Sequence, residues 1–139
     1  MDDYQELFDL IGELARRRYQ LAERHFAAFG LNHTEARLLT LLARAGGETA
    51  QDALSNQLFV DRTNAGRGLK SLEQAGLIER RANAGDKRTK TVRITEKGRQ
   101  TVAAMAGVKN AMARNFFGGL QEDEAGAVLG LLRKALADE

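Results

Sequence analysis

Val60-Asp61-Arg62-Thr63-Asn64-Ala65-Gly66-Arg67-Gly68-Leu69-Lys70-Ser71-Leu72-Glu73 is the stretch from which the fold is read. Asp61 suits a helix N-cap, because its carboxylate accepts from the backbone N–H groups of a first turn. Ala65, Leu69 and Leu72 recur at helical spacing and share one face. Thr63, Arg67, Lys70 and Gln74 lie on the opposite side at ~100° per residue. One side is apolar and docks on a core. The other bears a hydroxyl, a guanidinium, an ammonium and an amide, the groups that touch phosphates and base edges. A solvated surface helix would carry a similar stripe. The neighbouring sequence separates the two readings.

The chain has 139 residues, enough for one domain with a real core. It has no cysteine, which excludes disulfides, Cys-based zinc sites and thiol redox sensing. Its acidic start, Met1-Asp2-Asp3-Tyr4, lacks the pattern of a signal peptide, and no apolar run is long enough for a membrane span. A cytoplasmic setting is expected. The net charge of +2 says little, but its distribution is uneven. Residues 61–99 hold eleven basic and five acidic side chains, whereas both flanking segments are slightly acidic. Such a local excess is the footprint of a phosphate-binding surface.

Working outward, residues 4–28 read as a long amphipathic helix, with Leu7, Ile11, Leu14, Leu21 and Phe26 in its stripe. Arg16-Arg17-Arg18 interrupts it as a solvated turn or a second anion contact, and Gly30 closes it. Asn32 and Glu35 have capping-box spacing before a leucine-rich second helix that ends at Gly46-Gly47. A short third helix follows, capped by Thr49, with Leu54 and Leu58 inward. Two short helices, the second basic on its outer face, make a helix-turn-helix.

Gly76 stops the fourth helix. Leu77–Arg81 and Thr91–Thr95 alternate apolar and polar as strands, with a charged turn, Asn83–Arg88, between them. This hairpin is a wing. Thr95 caps a long fifth helix, whose stripe is Val102, Met105, Val108, Met112 and Phe116. Gly118-Gly119 breaks it. A sixth helix starts in Glu122-Asp123-Glu124. The fold class is therefore mainly α with a small β-hairpin: a winged helix-turn-helix over 31–97, flanked by helices at 1–30 and 98–139, in one domain. The flanking stripes exceed what the small core covers, so they are expected to pack on each other and on a second copy.

From Leu31 to Gly98 the chain resembles the multiple-antibiotic-resistance regulator (MarR) family of bacterial winged-helix transcription factors. Leu54–Thr63 looks like the family's helix-turn-helix entrance, and Leu72–Arg80 like its helix-to-wing junction. Gly85-Asp86-Lys87-Arg88 matches the Asp-x-Arg wing signature, and Ile94–Gly98 its wing exit. The resemblance implies a homodimer with intertwined terminal helices, the fourth helix in the major groove of double-stranded DNA and the wing near the minor groove. By position, Arg88 is the wing arginine. Asp86 holds the wing or that arginine. The family's usual effector is a small aromatic or phenolic anion, and a ligand-responsive repressor on a pseudo-palindromic operator follows.

The recognition helix departs from the family. Where many members carry Ser-Thr-Val-Thr-Arg, this chain has Thr63-Asn64-Ala65-Gly66-Arg67. Gly66 and Gly68 each cost a helix interior about 1 kcal/mol. They either bring the backbone close to DNA or reflect drift offset by packing. Asn64 and Arg67 become the candidates for base readout, since Asn pairs with adenine and Arg with guanine. Thr63, Lys70, Lys87 and Lys90 are candidate phosphate contacts, and Arg62 stands beside them at the start of the helix. An enzyme is disfavoured: there is no Gly-rich phosphate loop, no metal-ligand cluster, and just two histidines, His25 and His33. A winged helix that docks proteins is the alternative, but it has no need of the basic segment.

Overall fold

In the computed structural model, which describes residues 2–58 and 62–137, Asp2 opens the first helix, α1 (Asp3–Ala27). Its carboxylate accepts from the Gln5 backbone N–H at 2.9 Å, and the Gln5 side chain accepts from the Asp2 N–H at 3.1 Å. The same reciprocal cap, Asn32 with Glu35, opens α2 (His33–Arg44) at 2.8 and 2.9 Å, as the sequence spacing indicates. Ala36, Leu38, Leu39 and Leu42 of α2 are buried at the centre of the core.

Thr49, expected to cap the third helix, instead lies in a strand, β1 (Glu48–Ala50), opposite Val92. Gly46 and Gly47, with φ of +88° and +91°, turn the chain onto an open sheet edge, where its backbone groups find partners. The third helix, α3 (Gln51–Asn56), then starts after Ala50 with no side-chain cap. Leu54 and Leu58 are inward, as expected. The fourth helix, α4 (Arg62–Gln74), buries Ala65, Leu69 and Leu72 completely. The expected Asp61 cap lies outside the described residues. Gly76, at φ +77°, ends the helix, and the Leu77 N–H donates back to the Leu72 carbonyl at 2.9 Å.

The wing strands are longer than the sequence pattern suggests: β2 (Ile78–Asn83) and β3 (Asp86–Ile94), with the turn reduced to Ala84-Gly85. The sheet is antiparallel with order β1-β3-β2. Side chains lengthen the hairpin: Asn83 Nδ2 donates to Thr89 Oγ1 at 2.7 Å, and Thr91 Oγ1 donates to Asn83 Oδ1 at 2.6 Å. Ile78, Val92 and Ile94 close the core from the sheet side. Thr95 then caps α5 (Glu96–Phe116), its hydroxyl accepting from the Gly98 N–H at 3.1 Å. The last helix, α6 (Glu122–Leu136), is opened by a Gln121–Glu124 box.

The chain divides into two compact units, Met1–Gly107 and Val108–Glu139. The first contains the whole core, with Met105 of α5 at its margin. The second holds the last turns of α5 and all of α6, with an edge-to-face pair, Phe116 and Phe117, at 4.8 Å. Among the described residues no helix is long and apolar enough to cross a membrane.

His33 joins α1 to α2. Its ring centroid lies 4.6 Å from that of Tyr19 and 5.9 Å from that of Phe26, and its backbone N–H donates to Glu23 Oε1 at 2.7 Å. Among the described residues its buried Nδ1 has no partner. Burial lowers the imidazole below its ordinary 6.5, Arg18 and Arg37 add to this, and Glu23 opposes it. Below that ordinary value the unfolded chain takes up a proton that the folded chain resists, so stability is lost as the pH falls. Urea unfolding from about pH 7.5 to about pH 5 should therefore show a loss of stability that His33→Phe reduces. An identical loss in that variant would remove His33 from the pH response.

Candidate nucleic-acid interface

Complete burial of Ala65, Leu69 and Leu72 fixes which side of α4 faces outward. Asn64, Arg67, Lys70 and Gln74 lie exposed on that outer side. The side chains of Arg62 and Thr63, two further candidates, lie outside the described residues. The two glycines differ. Among the described residues, a Cβ on Gly66 would meet nothing within 4 Å. A Cβ on Gly68 would come 2.8 Å from Leu38 Cδ1 and 3.5 Å from Thr34 Cγ2. Gly68 therefore serves the approach of α4 to α2 and faces away from the outer surface.

The wing presents its arginine through a local carboxylate. Asp86 Oδ1 accepts from the Arg88 backbone N–H at 3.0 Å and from Arg88 Nε at 3.3 Å. The Arg88 side chain is 91% exposed. An ion pair this exposed adds little stability, but it narrows the directions the guanidinium takes. Both roles expected of Asp86, turn support and arginine support, are thus present in the geometry. Lys87, Lys90 and Arg93 are exposed on the same strand, β3.

Two residues of the basic segment point elsewhere. Lys97 Nζ donates to the Ala75 carbonyl at 2.9 Å, and Thr95 Oγ1 donates to the Gly76 carbonyl at 2.7 Å. The C-terminal end of α4 is thereby tied to the start of α5, with a cation where the helix dipole favours one. Arg80 is the other. Its side chain is 14% exposed, and Nη2 donates to Glu73 Oε1 at 3.1 Å. This hydrogen bond is the main reason the Glu73 carboxyl lies below its ordinary range. The charge sum of the sequence counts Arg80 and Lys97 with the outer cations. The alternation of β2 holds the missed signal for Arg80, since it shares the Ile78 side.

The sequence model of the MarR family matches residues 29–89. YdgJ of Bacillus subtilis (strain 168), an HTH-type transcriptional regulator, is 28% identical over 108 residues, covering 78% of this chain and 65% of YdgJ. The chain thus spans just under two thirds of that relative. The crystal structure of apo MarR from E. coli superposes with a TM-score of 0.83 at 24% identity, over 94% of this chain and 96% of that one. A mutant E. coli MarR complexed with operator DNA gives 0.80 at 24%, over 98% and 99%. At these identities the structural matches establish the winged-helix fold.

The glycine geometry has a measurable consequence. Gly66→Ala should raise the unfolding free energy by about 1 kcal/mol, the helix-propensity difference. In Gly68→Ala the same gain should be cancelled or reversed by the encounter with buried Leu38. Urea titration of both variants measures this, and equal stabilisation would show that Leu38 yields without cost.

Proposed function

We propose, on the premise that residues 29–89 belong to the MarR family and that the chain has the MarR fold, that this protein is a DNA-binding transcriptional regulator. It acts as a homodimeric, ligand-responsive repressor on a pseudo-palindromic operator. One observation carries this reading. Asn64, Arg67 and Lys70 on α4 and Arg88 on the wing are all exposed on adjacent elements, while the backs of those elements share one core. Cations on a helix and its neighbouring hairpin fit the alternating grooves of a duplex.

Roles follow from chemistry. Asn64 and Arg67 carry the bidentate groups that read adenine and guanine. Arg62, Thr63, Lys70, Lys87 and Lys90 bind phosphates, which sets register and affinity. Arg88 enters the minor groove, oriented by Asp86. Residues 31–97 form the winged unit, and the helices of 1–30 and 98–139 form the dimer.

Exposure on the single chain supports the last point. Leu7, Phe8, Leu10 and Ile11 of α1, and Leu129, Leu131 and Leu136 of α6, are exposed apolar side chains. Apolar surface on this scale is usually covered by a partner. A small aromatic or phenolic anion is the effector class we assign by family resemblance. It would favour a spacing of the two winged units that misses the grooves.

Selection of duplexes from a random pool tests the function. It should return a pseudo-palindrome with half-sites about one helical turn apart. Failure to enrich any sequence would contradict the reading. On the selected duplex, Arg67→Ala should cost ~1–3 kcal/mol and relax preference at one base pair. Equal losses on selected and random duplexes would make Arg67 a phosphate contact.

A further inference from the structure

Arg80 belongs to the basic segment, yet its surroundings turn it away from any duplex. Along β2 the side chains alternate: Ile78 is buried, Glu79 exposed, Arg80 largely enclosed and Arg81 exposed. Arg80 therefore shares the Ile78 face, toward the helices. Its guanidinium meets two elements there. Nη2 donates to Glu73 Oε1, on the last full turn of α4, at 3.1 Å. Nη1 lies 3.5 Å from Gln51 Oε1, at the first residue of α3. Among the described residues its buried Nε has no acceptor.

The core sets the face of α4 and the sheet pairs β2, but α3 has little support of its own. The six-residue α3 is too short to be stable alone, and its N-cap, Ala50, offers no side-chain hydrogen bond. The outward tilt of α4 determines where Asn64 and Arg67 reach. β2 is one of the two strands of the wing that carries Arg88. A planar fork with fixed donor directions can set the mutual geometry of such elements, whereas a single ammonium cannot. The Glu73 carboxylate offsets the charge of the largely enclosed guanidinium, and this hydrogen bond is the first cause of its lowered pKa.

We propose that Arg80 is the positioning residue of the interface. It locks α3, α4 and the wing to one another so that recognition helix and wing reach a duplex in register, and it makes no contact with the duplex itself. The proposal rests on the DNA-binding reading above. It assigns sequence discrimination partly to a residue that touches no base.

Arg80→Lys tests it, because the charge stays and the fork is lost. Glu73→Gln is the second variant, used with the same readouts if the first does not fold. Both are compared with the unmutated protein on the duplex selected above and on a random duplex of equal length, over a salt series. Amide hydrogen exchange is followed in the absence of DNA. Helix content and oligomeric state should be retained. The α3 amides should exchange faster, and affinity for the selected duplex should fall about tenfold, the loss of a charged hydrogen bond. Random-duplex affinity and salt slope should stay within about twofold, since no phosphate contact is removed.

An unchanged ratio of selected to random affinity would overturn the proposal while leaving DNA binding intact. So would equal losses on both duplexes with a salt slope reduced by about one, which would make Arg80 a phosphate contact. If the unmutated protein binds no duplex, the underlying function fails, and the proposal with it.

Discussion

Burial of Ala65, Leu69 and Leu72 against α2 is the interaction on which the rest depends. A helix is a cylinder, and fixing its apolar face fixes its polar one. Each buried leucine contributes roughly 1.5–3 kcal/mol, far more than any exposed ion pair offers. The core therefore decides the orientation of α4, and the outer cations follow. Gly68 shows how tight this docking is: the Leu38 side chain occupies the space a Cβ would fill.

Secondary ties then fix what the core leaves adjustable. Asp86 directs the wing arginine, Arg80 bridges β2 to α4 and α3, and Lys97 with Thr95 hold the end of α4 to the start of α5. All of them are charge-assisted or carbonyl-capping hydrogen bonds, and all but the Asp86–Arg88 contact within β3 join neighbouring elements. They add modest stability and considerable geometric definition. A protein that meets a rigid duplex at two places gains from that definition, because misplacement at one place loses contacts at the other.

Much of this was legible because it is local. The Asn32–Glu35 box, the stop at Gly76, the Thr95 cap and the apolar face of α4 depend on residues within one or two turns of each other. What depended on distant partners was not. Thr49 has the chemistry of a cap, but β1 exists because β3 supplies its partner residues, some forty positions later. The wing runs longer than its alternation suggests, because Asn83, Thr89 and Thr91 bridge a region that looks like a turn.

The candidate site divides in the same way. Asn64, Arg67 and Lys70 are placed outward, as helical periodicity indicates, and Lys87, Arg88 and Lys90 are exposed on the wing. Arg80 and Lys97 add to the charge sum of the segment, but each is engaged with the neighbouring structure. Composition counts charges without regard to where they point. No pattern along the chain says what lies across from Gly68.

The most direct measurement of the central claim is duplex affinity of the purified protein as a function of salt. Cations clustered on α4 and the wing predict tight binding at low ionic strength, and log affinity falling linearly with log salt at a slope of several units. No binding to duplexes of any sequence at low ionic strength would contradict the account.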